Sequence, residues 1–257
     1  MWLAELQFRL VSDTSYSQAE QQIRQYLEAL IFQGQLIGRE FPTYFASDHF
    51  CSRVILPAED ALITQHHSPR GQQALAALPE AGLAYPKLKL LGQDLMSSHT
   101  DPCQPAEGYI LFTNFAEQVS PLRCSAHFAP VPLYRLGADS TADYEDFIRW
   151  QLQYQALDEI QMQQQRVLPK SAENALQQLH SKLNQQGRQL ARRVEKLSGK
   201  SCYYYLYSGS SQDCSQEASK QCPGCASDWR LDGSWHGLFQ FRCDHCRLVS
   251  NIAWDCQ

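Results

Sequence analysis

Four cysteines near the C-terminus have the most specific spacing in the sequence. Cys222 and Cys225 lie in C-P-G-C, and after seventeen residues Cys243 and Cys246 lie in C-D-H-C. Two residues between paired cysteines let one tight turn aim both sulfurs at a single point. A hairpin that joins two such turns brings four thiolates to the corners of a tetrahedron, which suits Zn2+ and predicts a zinc ribbon. With all four positions taken by sulfur there is no open place for water, so the expected zinc is structural and not hydrolytic. His245 sits inside the second turn, where adjacency explains it better than ligation.

A weaker constellation lies in the middle of the chain. Cys124 and His127 have metal-ligand spacing, and Cys103 stands upstream with His99 or Asp101 as possible helpers. This is a possible second zinc site with mixed ligands. The alternative is a metal-free hairpin in which the cysteine is an ordinary buried residue.

Cationic groups that could grip a phosphate chain are few. Arg188, Arg192 and Lys196 stand four apart, hence on one helix face, at the end of a helical region. Cations there are also favoured by the helix dipole, which is the plainer explanation. Within the expected ribbon, Arg230, Arg242 and Arg247 are interleaved with Trp229, Trp235, Phe239, Phe241 and Trp254, a mixture able to stack on bases. Asp228, Asp232, Asp244 and Asp255 offset those arginines, so the ribbon carries no net positive charge.

The chain as a whole, 257 residues with a net charge of −5, is not a general polyanion binder. Its first apolar run contains Glu5 and Arg9, which argues against a signal peptide or a membrane span. Ten cysteines without a secretory leader suggest reduced thiols and metal, and a cytoplasmic location is expected. Cys202, Cys214 and Cys256 have no pair spacing and read as spare thiols.

Several elements must position these groups. Trp2 to Leu10 alternates as a strand. Ser17 and Glu20 form a capping-box pair before helical Ile23, Tyr26, Leu27 and Leu30. Phe41–Phe45 and Phe50–Leu56 suggest a hairpin around Ser47, Asp48 and His49; a helix over 72–83 and a strand Lys87–Leu91 follow. The order β-α-β-β-α-β predicts a ferredoxin-like domain over 1–94. A ribbon-like β segment is expected over 95–138, with strands at Tyr109–Phe115 and Leu133–Leu136. An antiparallel helical hairpin is expected over 139–200, broken at Pro169, and the zinc ribbon over 201–257, with Asp232-Gly233 as its turn. The fold class is therefore α+β.

The stretches P-L-R-C-S-A-H-F-A-P-V-P-L-Y-R-L, Y-Y-Y-L-Y, C-P-G-C-A-S-D-W-R-L and H-G-L-F-Q-F-R-C-D-H-C-R-L-V-S-N-I-A-W resemble a bacterial family of zinc-ribbon-containing proteins of unknown function with a suggested link to nucleic acid. The resemblance runs from Phe41 onward. It implies Cys222, Cys225, Cys243 and Cys246 as metal ligands. At His127 the chain departs from the family pattern, so there histidine replaces cysteine as a ligand or the site is lost.

Two functions are expected from these features. In the first, a nucleic-acid-associated regulator contacts the polymer through Arg188, Arg192, Lys196, Arg230, Trp235, Arg242 and Arg247. In the second, an adaptor docks on a large protein machine such as polymerase or ribosome. An enzyme would have to use His66, His67, His99, Cys103, Cys124 or His127, among which no nucleophile–base spacing is recognisable. A thiol-based redox or metal sensor is a further possibility.

Overall fold

The alternation at the N-terminus produces strand β1 (Trp2–Arg9), which buries Ala4, Leu6 and Phe8. Helix α1 (Tyr16–Phe32) lays Ile23, Tyr26, Leu27 and Leu30 against them. Its N-cap is Ser15, which accepts a hydrogen bond from Gln18 N–H at 3.2 Å; the expected capping-box partner Glu20 instead pairs with Arg24. β2 (Thr43–Ala46) and β3 (His49–Leu56) form the expected hairpin, with Ser47 in the left-handed region at its turn. α2 (Pro69–Ala77) starts earlier than the apolar period suggested, because Ser68 caps it and Pro69 fits its first turn. β4 (Lys87–Gln93) closes the sheet in the order β2-β3-β1-β4, with every neighbour antiparallel. This is the ferredoxin-like arrangement.

The computed structural model describes residues 1–137, 143–163, 168–211 and 213–256. These divide into two units: Met1–Pro102 with Gln118–Ser120 and Ala129–Glu145, and Cys103–Glu117 with Pro121–Phe128 and Asp146–Gln257.

The second unit is built on one mixed sheet. β5 (Tyr109–Leu111), β6 (Leu122–Cys124), β7 (Cys202–Tyr205), β8 (Arg230–Trp235), β9 (Phe239–Cys243) and β10 (Leu248–Ser250) take the order β6-β5-β7-β10-β9-β8. β7 pairs in parallel with β5 on one side and β10 on the other. A strand flanked on both edges and covered on both faces should read as a continuous apolar run, and C-Y-Y-Y is buried throughout. The buried tyrosines can be accommodated because their hydroxyls find acceptors: Tyr204 on Asn184 at 2.6 Å and Tyr205 on Asn251 at 3.0 Å.

Several expectations for this region need correction. Leu133–Leu136, in the first unit, is a 3-10 helix and not a strand, set by its position after Pro130 and Pro132. The helical region holds three described helices and not two: α3 (Glu145–Met162), α4 (Pro169–Gln177) and α5 (Lys182–Ser198). Residues 139–142 and 164–167 of that region lie outside the described residues. The corner between α4 and α5 is fixed by fully buried Asn184, whose amide donates to the carbonyls of Leu176 and Gln178 at 2.8 Å each. α5 packs on β7 and also lies antiparallel against the start of α3, with Gly187 beside Trp150 and Arg193 paired with Asp146 at 2.7 Å. The Asp232-Gly233 turn signal is expressed as a bulge in β8, and the chain reverses at His236-Gly237, both at positive φ as a tight β-hairpin turn requires. No helix among the described residues is long and apolar enough to cross a membrane.

Gly187 is where α5 meets the sheet. A Cβ there would lie 2.2 Å from the Tyr204 ring and 2.8 Å from Trp150 Nε1 of α3. Helix propensity alone would favour Gly187→Ala by about 1 kcal/mol, whereas overpacking of a tight core costs about 1–3 kcal/mol. The clash is with ring atoms held on both sides, so overpacking should win. Gly187→Ala is expected to lower the urea midpoint; an unchanged or raised midpoint would contradict this packing.

Candidate metal centre

The first cysteine turn is closed by its own backbone. Ala226 N–H donates to Cys222 O at 2.8 Å and Cys222 N–H to Ser227 O at 2.9 Å, with Ala226 left-handed at φ 58°. The second turn leaves the end of β9: Cys246 N–H points at Cys243 Sγ, 3.3 Å away, and Arg247 is left-handed at φ 54°. The four sulfurs of Cys222, Cys225, Cys243 and Cys246 all lie within 4.8 Å of one another, with Cys225 and Cys243 at 3.6 Å. This cluster could hold a metal ion. Gly224 is part of the fit, because a Cβ there would stand 2.7 Å from Cys246 Sγ.

Burial separates the thiols chemically. Cys222 and Cys243 are buried, Cys246 is half-buried and Cys225 is exposed. Burial pushes the Cys222 and Cys246 thiols up, whereas the hydroxyl and backbone N–H of Ser227 pull Cys225 down to about 6. A bound cation would override these differences and hold all four as thiolates. Ser227 and Gly224 complete the site by contact, and neither has ligand chemistry that spacing could have revealed.

In the middle segment, Cys103 Sγ and Cys124 Sγ lie 3.8 Å and 3.9 Å from the same atom, Nδ1 of His127. Cys124 ends β6 and is buried, while His127 is exposed. The suggested helpers His99 and Asp101 both fall in the first unit.

The expected cationic residues are carried by α5, by β8 and β9, and by the second cysteine turn. Arg192 and Lys196 are exposed on α5 and Arg188 is half-buried. Glu195 accepts from Cys202 N–H at 3.1 Å and pairs with Arg247 at 3.1 Å, which ties the end of α5 to the second cysteine turn. Arg242 lies against the rings of Tyr203 and Trp235, at 4.9 Å and 4.8 Å, which meet edge-on at 5.4 Å, and it bonds Asp244 at 2.7 Å. Arg230 sits over Phe241 at 5.0 Å. The Glu195–Arg247 link carries no local sequence signal.

Other sequence candidates take structural places. His67 is buried in the first unit, with Tyr26 Oη at 3.0 Å and Gln35 Nε2 at 3.3 Å. His66 packs against the Tyr134 ring at 4.6 Å. Cys214 and Cys256 are not spare thiols but form a disulfide, and Cys202 is buried in β7, where burial raises its pKa and makes it a poor nucleophile.

Residues 103–207 match a family described as Domain of unknown function (DUF2310), residues 1–92 a Domain of unknown function (DUF8589), and residues 211–256 a Domain of unknown function (DUF8594). A crystal structure named as a proposed antibiotic biosynthesis monooxygenase from Deinococcus radiodurans aligns at TM-score 0.27 and 14% identity, over 39% of this chain and 100% of that one; so low a score supports no comparison of function. An uncharacterised protein of Haemophilus influenzae is 33% identical over 260 residues, 99% of each chain. A second from the same organism is 34% identical over 176 residues, 68% of this chain and 86% of that one. The chain therefore belongs, with these relatives, to a bacterial family of unknown function.

Proposed function

We propose that Cys222, Cys225, Cys243 and Cys246 hold a structural Zn2+, that β8–β10 with their cysteine turns form a zinc ribbon, and that the protein is a nucleic-acid-associated regulator. A four-sulfur donor set at tetrahedral spacing favours zinc among available divalent ions. The observation that carries the polymer-binding reading is the Glu195–Arg247 link. It ties the end of α5, the helix of Arg188, Arg192 and Lys196, to the second cysteine turn through Arg247, while Arg242 on β9 bonds Asp244. Exposed Arg192 and Lys196 would meet phosphate, and half-buried Trp235 with Arg242 against it would offer ring and guanidinium contacts to bases. A second reading, a protein-docking adaptor, is favoured by the same ion pairs. Arg242 and Arg247 are already engaged by carboxylates, which weakens their pull on a polyanion.

The two readings part in salt. A fluorescent single-stranded oligonucleotide should bind the full chain with affinity that falls steeply as salt rises. Arg192→Ala with Lys196→Ala should flatten the slope of log K against log salt by about 1.4, the share of two phosphate contacts. Absence of binding at low salt would reject the nucleic-acid reading in favour of the adaptor.

A three-stranded ribbon by itself would be too small to fold without metal. Phe239, Phe241, Leu248 and Val249 are instead fully buried in the sheet shared with β7 and β5. Chelation should therefore strip amide-exchange protection from 222–235 and 243–247 while β5 and β7 keep theirs; unchanged protection in the cysteine turns would contradict a structural ion. Gly224→Ala should displace Cys246 Sγ and weaken zinc retention in competition with a chromogenic chelator, and wild-type retention would show that the close approach is not needed.

A further inference from the structure

The turn that follows β6 repeats the build of the two turns in the C-terminal cluster. In each, the residue after the last candidate ligand is left-handed: Phe128 after His127 at φ 58°, Ala226 after Cys225 at φ 58°, and Arg247 after Cys246 at φ 54°. Phe128 N–H donates to Cys124 O at 2.9 Å, as Ala226 N–H donates to Cys222 O at 2.8 Å. A phenylalanine gains nothing locally from that backbone conformation, which is uncommon for a bulky residue. It is held there by packing. The Phe128 ring stacks on His236 at 5.2 Å, and His236 Nε2–H donates to Ser125 O at 2.8 Å.

The sheet sends this turn the same way as the cluster turn. Cys124, at the end of β6, is opposite Tyr109, which is opposite Cys202 at the start of β7. Cys243, at the end of β9, is opposite Leu248, which is opposite Tyr204. β6 and β9 both run antiparallel to β7 and end in a cysteine, so both turns leave the sheet toward the side where β7 begins. At the β6 turn, Cys103 Sγ and Cys124 Sγ converge on His127 Nδ1 at 3.8 Å and 3.9 Å. Tetrahedral coordination by sulfur and imidazole nitrogen requires an S···N separation of about 3.6 Å. Each sulfur stands within a few tenths of an ångström of that separation from Nδ1. Two thiolates with one imidazole form a borderline-soft set suited to zinc-class ions and poorly suited to magnesium or calcium.

We propose that Cys103, Cys124 and His127 form a second metal site, binding a zinc-class divalent ion through Cys103 Sγ, Cys124 Sγ and His127 Nδ1. The site stands apart from the nucleic-acid reading and from the C-terminal cluster, since it shares no ligand with either.

The test is zinc content per chain of the full-length protein purified from zinc-supplemented cells, read beside circular dichroism for the wild type, His127→Ala, Cys103→Ser and Cys225→Ser. Exposed His127 can be truncated without opening the core, and Cys103→Ser gives an independent reading should one variant fold poorly. The wild type is expected to carry about two zinc ions, and each folded variant about one. A wild type with about one ion, lost in Cys225→Ser and unchanged in His127→Ala and Cys103→Ser, would overturn the second site and leave the C-terminal centre standing. Loss in His127→Ala with retention in Cys225→Ser would support the second site and reject the C-terminal one.

Discussion

Four sulfurs within 4.8 Å of one another impose a constraint that the surrounding chain answers in detail. As thiolates they would repel strongly at that distance, and as thiols they are weak hydrogen-bonding groups that do little for one another. A divalent cation resolves both problems at once. The local backbone is consistent with that solution. Gly224 gives Cys246 room, Ser227 stabilises charge on Cys225, and the left-handed Ala226 and Arg247 turn the chain so that each cysteine pair faces inward. None of these features is needed to pack a small apolar core.

The cluster is not an appendage on a separate stalk. β7 joins it to the middle of the chain by pairing in parallel with β10 and β5. Parallel pairing needs a long connection between partners, and the segment carrying α3, α4 and α5 supplies it between β5 and β7. That path also explains why α5 lies on β7, why Gly187 must be small, and why Glu195 reaches both Cys202 N–H and Arg247. The link between α5 and the second cysteine turn, Glu195–Arg247, thus follows from sheet topology, since β7 runs beside both elements.

What could be read in the sequence follows the range of the interactions. The four cysteines were legible because a two-residue spacing is itself a geometric statement about one turn. The ferredoxin-like unit was legible because strand and helix periods are local and the β2–β3 hairpin is short. The six-stranded sheet was not, because β5, β7 and β10 are distant in sequence and short apolar runs do not name their partners. The Cys214–Cys256 disulfide spans 42 residues with no spacing signal. Pro169 correctly marked a break, but the second break, at the corner held by Asn184, depends on a buried amide that looks like any surface asparagine in sequence. Asp232-Gly233 misled for a related reason: the register set by β9 turned it into a bulge, and His236-Gly237 became the reversal.

The central claim is that Cys222, Cys225, Cys243 and Cys246 surround a single zinc ion. X-ray absorption at the zinc edge of the His127→Ala protein, which leaves these four cysteines as they are, tests it most directly. The account predicts a first shell of four sulfurs at about 2.3 Å. A shell dominated by oxygen or nitrogen, or a folded protein that retains no zinc, would contradict it.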